Sequence, residues 1–183
     1  VVSGVQGRLT IDNSRLQLEK VNGEANSGRF TASGQADFGP SFSLPEARLN
    51  FVLEDFDFNY PPGLNSLSRA SLTLTKSKTG WLLAGDLFII NASYLEDFYP
   101  STQGLKMIFS RVSPAGSEMS PFLYELALNI NVRTIDNIVI KNNLADLELK
   151  ANLNIKGTIP TPVLSGRAEN AYTGEIIIGE RKY

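Results

Sequence analysis

The stretch Asp146-Leu147-Glu148-Leu149-Lys150-Ala151-Asn152-Leu153-Asn154-Ile155-Lys156 decides the fold class. Leu147, Leu149, Ala151, Leu153 and Ile155 are apolar, and every residue between and beside them is polar. Successive side chains of a strand point to opposite faces. This run therefore puts one sheet face in oil and the other in water.

Working outward, the same period of two recurs. It orders Leu126, Leu128, Ile130 and Val132; Leu49, Phe51 and Leu53; Phe56, Phe58 and Tyr60; Leu72 and Leu74; and Leu16 and Leu18. Residues 30–38 follow it through Phe30, Ala32, Gly34, Ala36 and Phe38. Residues 81–90 are apolar at both parities except at Asp86, as in a strand either covered on both faces or misread at one end. Turn signals separate the runs: Asp12-Asn13-Ser14, Asn22-Gly23, Asn26-Ser27-Gly28, Gly39-Pro40, Pro61-Pro62-Gly63, Thr79-Gly80, Pro114-Ala115-Gly116 and Asn142-Asn143. Strands and turns at this spacing predict an all-β chain of roughly ten to thirteen strands. Helical periodicity is weak, and only residues 64–69 and 93–98 suit a turn or two of helix.

Composition narrows the chemistry. The 183 residues are 42% hydrophobic and 20% charged, which is globular and long enough for a real core. There is no Cys and no His. Disulfides, thiol nucleophiles, Cys-ligated metals and the Ser-His-Asp triad are excluded, and the usual general base near neutral pH is missing. The net charge of −2 is evenly spread, with no basic stripe for nucleic acid. The longest uninterrupted apolar run, residues 87–90, is far below the ~20 residues of a membrane span. The chain opens mid-pattern at Val1-Val2-Ser3-Gly4. It reads as one all-β domain over 1–183, a piece of a larger protein, with Pro61-Pro62-Gly63 as the only boundary candidate.

Candidate chemical sites read as ordinary structure. Asp55-Phe56-Asp57-Phe58-Asn59 begins like a calcium loop, but Tyr60 and Ser66 stand where its Gly and Glu belong. Glu96 and Asp97 would diverge on a strand and read as a loop or helix start. Residues 157–162 lack phosphate-loop spacing and read as a turn. Lys76, Lys78, Arg181 and Lys182 read as solvated edge charges, with a lipid-headgroup site as the sharper alternative. No catalytic residue, metal site or cofactor is expected, and the chain is not expected to be an enzyme. The alternation itself has two readings. Its apolar face either packs on a second sheet as a closed β-sandwich or lines an open groove.

The last third resembles the C-terminal region of the TamB family, the translocation and assembly module proteins of the AsmA-like group. The resemblance rests on an ordered series within residues 126–183. Leu128, Ile130 and Val132 lead to Asp136-Asn137 and Asn142-Asn143. The alternating strand from Leu147 to Ile155 then closes on Gly157-Thr158. Pro162-Val163-Leu164-Ser165-Gly166 follows, then Gly174, Ile176, Gly179 and Tyr183. The resemblance implies a long curled β-sheet, likened to a taco, with an apolar concave interior. It implies a periplasmic segment of a bridge-like protein, anchored in the inner membrane outside these residues. That protein would conduct phospholipid acyl chains toward the outer membrane. The alternative is an interaction scaffold for an outer-membrane barrel partner of the TamA/BamA type.

On this reading Leu126, Leu128, Ile130, Val132, Leu147, Leu149, Leu153 and Ile155 line the groove, joined by Leu49, Phe51, Leu53, Leu72 and Leu74. Each also fits a core-packing role. About twelve strands stacked at ~4.8 Å would extend roughly 55 Å. An exposed trough of that size favours self-association, so a homodimer of the isolated piece is expected.

Overall fold

The computed structural model describes residues 2–40, 43–59, 63–97, 120–172, 174–178 and 181–182. They form twelve strands and one short helix: β1 (Val2–Asp12), β2 (Arg15–Ala25), β3 (Gly28–Asp37), β4 (Glu46–Phe58), β5 (Leu64–Ser77), β6 (Gly80–Tyr94), α1 (Pro121–Glu125), β7 (Ala127–Thr134), β8 (Ile138–Lys141), β9 (Ala145–Thr158), β10 (Pro162–Asn170), β11 (Glu175–Ile178) and β12 (Arg181–Lys182). The Pro61-Pro62 and Pro114-Ala115-Gly116 turn signals lie outside the described residues.

All twelve strands belong to one mixed sheet. Strands β1 to β6 form an antiparallel meander. Its tight turns come from residues that tolerate positive φ: Asn13 and Ser14 between β1 and β2, Asn26 and Ser27 between β2 and β3. The single parallel step is β6 to β7 and β8. β7 and β8 lie end to end along the same edge of β9, and β10 and β11 do the same along its other edge. The strands therefore stack in nine ranks, with β12 beyond the last. Nine ranks extend ~38 Å at ~4.8 Å spacing, shorter than the sequence suggested, because two pairs of strands are collinear.

This sheet is not a closed barrel, since β1 does not pair with the strands at the other end. The sandwich alternative fails as well. Among the described residues each strand packs on its ladder neighbours, and no second sheet lies against them. No large side chain is fully buried among them. The chain exposes 12558 Å², where a compact monomer of its mass would expose about 8,700 Å².

The sheet curls. Register shifts interrupt β1/β2, β2/β3, β4/β5 and β5/β6, and each bulge bends its strand and increases the local twist. Gly34 and Gly85 add to this with φ of +155° and +143°. A Cβ on either would stand 2.1 Å from a carbonyl oxygen of the neighbouring strand, Arg48 or Ser71.

Three local expectations are corrected. Residues 64–69 and 93–94 are strand, in β5 and β6, because cross-strand pairing outweighs a weak helical signal. Asn22-Gly23 is not a turn but lies inside β2, where Gly23 is opposite Phe30 and a Cβ would stand 2.6 Å from its ring. The strand over 81–90 is not sandwiched by a second layer. Leu83, Leu87 and Ile89 share one face, while Phe88 on the other lies under the Arg69 guanidinium at 5.6 Å.

Candidate functional site

Register assembles the candidate site. Following directly paired residues from β10 to β1, one row reads Leu164, Ile155, Ile130, Gly85, Leu72, Phe51, Ala32, Val21 and Gly7. It crosses all nine ranks without a polar side chain. The row on one side contains Leu128, Leu83, Leu74, Leu49, Gly34, Leu18 and Leu9. The row on the other contains Leu153, Val132, Leu87, Ala70, Leu53 and Phe30. Twelve of the thirteen residues singled out from the sequence share this face. Leu147 and Leu149 occupy its far flank beside Ile140 and Ile138. Leu126 is the exception, buried at the junction of α1 and β7.

Across β3 to β5 the apolar face is the more buried of the two, as befits the inner side of a curl. Val52 projects from the polar face and is 43% exposed, whereas Phe51 and Leu53 beside it are half-buried. Ala32, Ala47 and Ala70 on the inner face are each 6% exposed.

The opposite face carries polar ladders. Asn131 Nδ2 donates to Asp86 Oδ1 at 3.2 Å, and Asn154 Nδ2 donates to Asn131 Oδ1 at 2.9 Å. Thr73 Oγ1 donates to Asn50 Oδ1 at 3.0 Å, and Thr31 Oγ1 to Asn22 Oδ1 at 2.9 Å. Arg15 grips Asp37 with two hydrogen bonds, of 2.6 and 3.1 Å, at the end of the β2–β3 pair. The Arg15 hydrogen bond, helped by the charge of its guanidinium, holds the Asp37 carboxyl below its ordinary range against the opposing effect of desolvation.

Sequence reasoning missed Leu83, Leu87, Ile138, Ile140 and Leu164 as members of the face. The apolar character of β6 at both parities hid the first two, and β8 and β10 are short or edge strands. The carboxylates weighed for catalysis have structural surroundings: Asp97 Oδ1 accepts the Asn143 N–H at 3.2 Å beside the β8–β9 turn. Among the described residues no cluster of acidic side chains suits a metal ion. No described helix is long and apolar enough to cross a membrane.

The model of the TamB C-terminal domain matches residues 19–173. The chain belongs to the TamB C-terminal domain family. The match begins inside β2 and stops just before Gly174, so it reaches well N-terminal of residues 126–183 and leaves out Gly174, Ile176, Gly179 and Tyr183 of the series quoted above. No curated protein and no solved structure matches the chain. TamB domains are structural and transport modules rather than enzymes, associated with the cell envelope and with partners of outer-membrane protein assembly. In this TamB domain the candidate site is a surface of apolar rows, not a constellation of reactive groups.

Proposed function

We propose that the apolar inner face shields phospholipid acyl chains in transit through the periplasm between the inner and outer membranes. The unbroken apolar row from Leu164 to Gly7 carries this reading. Shielding an acyl chain needs contiguous apolar area and no directional bonds. One leaflet's hydrocarbon depth, about half of a ~30 Å core, spans roughly three strand spacings, so ~38 Å of trough accommodates chains end to end. Polar ladders on the outer face keep the convex side in water. Chain movement requires no catalyst, and its direction must be set by gradients or partners. The whole chain acts as one domain on this reading.

The β1 edge favours a second reading, an interaction scaffold. Val2, Val5, Leu9 and Ile11 are more than half exposed along an unpaired edge. Such an edge accepts a further strand by β-augmentation, for example from an outer-membrane barrel of the TamA/BamA type.

Native mass spectrometry of the purified chain, with solvent extraction of bound lipid, separates the two. Co-purifying phospholipid supports the shield. A lipid-free chain that binds a barrel strand through β1 overturns it in favour of the scaffold.

A further inference from the structure

The pairing that makes the inner face apolar isolates one charge. Among the residues of β1 to β10 that register places on that face, Lys76 alone is charged. It stands at the end of β5, opposite Ala47 on one side and Trp81 on the other. Lys76 is half-buried, and its Nζ lies 5.8 Å from the Trp81 ring centroid. Trp81 in turn meets Phe122 of α1 edge-on at 5.2 Å. Among the described residues no carboxylate pairs with the Lys76 ammonium.

A lysine on an apolar surface lays its stem along that surface and lifts its head to the rim. Lys76 does this at the lip formed by the β5–β6 hairpin, beside exposed Lys78. An indole suits the same boundary, with an apolar body and one N–H donor. Acidic residues also stand at the Lys76 end, Glu46 and, held by Arg15, Asp37; the opposite ends carry more acid than base, with Lys141 paired to Asp146 and Arg29 to Glu54. Asp55, Asp57, Glu96, Asp97, Asp146 and Glu175 are all exposed along that lip. An anionic group is repelled there and attracted at Lys76.

We propose that Lys76 and Trp81 form a headgroup site that holds the phosphate of a phospholipid while its acyl chains lie on the apolar rows. This rests on the acyl-chain reading above and adds to it the lip and the charge of the cargo. The distance suits the role. Leu74 and Leu72 follow Lys76 along the same face of β5, two residues or ~7 Å apart at ~3.4 Å per residue. A phosphate at the lip therefore leaves its chains crossing the Leu74 row first, ~7 Å in, and the Leu72 row ~14 Å in.

The test compares the full chain with Lys76→Met, which keeps an apolar stem, and Lys76→Glu. Each is loaded in competition with phosphatidylglycerol and a diacylglycerol of the same tails, and bound lipid is read by native mass spectrometry. A charge-assisted phosphate contact corresponds to about a tenfold preference for the phospholipid. The expected result is that preference in the wild type, near equality in Lys76→Met and reversal in Lys76→Glu. A preference that survives in both variants overturns the headgroup site while leaving the shield intact. Failure of both lipids to bind the wild type overturns the shield and the site with it. Inorganic phosphate is the third arm. If it shifts the Lys76 side-chain amine signal at millimolar concentration without lipid, the site takes free phosphate and the lipid assignment is overturned.

Discussion

Replacing Gly85 with Ala tests how the sheet holds its curl. Gly85 sits within the apolar row, between Ile130 and Leu72, with φ of +143°. That backbone region is essentially closed to other residues, at a cost of about 1–3 kcal/mol. A Cβ there would also stand 2.1 Å from the Ser71 carbonyl oxygen and 3.0 Å from the Leu72 Cα. Strands β5 and β6 must then separate locally, which adds overpacking of about 1–3 kcal/mol. The sum is about 4 kcal/mol, or ~8–16 °C in Tm for a chain of this size. Gly80→Ala supplies the control. Gly80 has φ of +126° but nothing within 4 Å of its would-be Cβ, so it bears the backbone strain without the clash. Its expected shift is about half as large. Thermal melts followed by far-ultraviolet circular dichroism read both. Equal shifts for the two variants, or a Gly85→Ala melt within ~2 °C of wild type, would refute the close-approach argument.

Leu149 lies on the inner face between Ile138 and Asn170 and is only half-buried. Leu149→Asp should fold with a loss of at most about 2 kcal/mol, against the 3–5 typical of a closed core, while losing bound lipid. Poor expression with early melting would assign Leu149 to a core instead. Placing a charge on the exposed edge strand with Leu9→Lys should weaken self-association of the chain in sedimentation velocity, and an unchanged distribution would remove β1 from the self-contact. The Arg15 hydrogen bond lowers the folded-state pKa of Asp37. Its contribution is therefore present above the unfolded carboxylate range and is lost as pH falls through the lowered folded value. Side-chain carboxyl titration by NMR should give Asp37 a midpoint below that of an ordinary Asp, and Arg15→Gln should move it up; no movement would contradict the pairing.

Much of this architecture is legible in the sequence, and the reason is register. With a side-chain period of two, an apolar face must stay in phase along a strand, and β9 does so from Leu147 to Ile155. The unread signal is a change of phase. Leu49, Phe51 and Leu53 are odd-numbered, whereas Phe56 and Phe58 are even, and the structure places a bulge between Leu53 and Phe56 with Asp55 at φ of +51°. Leu16 and Leu18 give way to Val21 in the same manner across the β2 bulge. Each parity switch marks the place where the sheet bends, so the curl itself was written in the chain. Strand order was less accessible. The parallel β6–β7 step and the end-to-end pairs β7–β8 and β10–β11 depend on long-range pairing that no local pattern encodes. The lone charge at Lys76 was visible as a residue, but its place on the inner face emerged only from its pairing with Ala47 and Trp81.

Two adjacent pairs of positions give the most direct measurement. Phe51 pairs with Leu72 on the apolar face, and Val52 pairs with Ser71 on the polar face, one residue along the same two strands. A photo-crosslinking amino acid is placed at each of the four positions in turn. The protein is irradiated in cells, and adducts are identified by mass. Phospholipid adducts from positions 51 and 72, with none from 52 and 71, are the result expected of an acyl-chain shield. Equal adducts from both faces, or no lipid at 51 and 72, would contradict it.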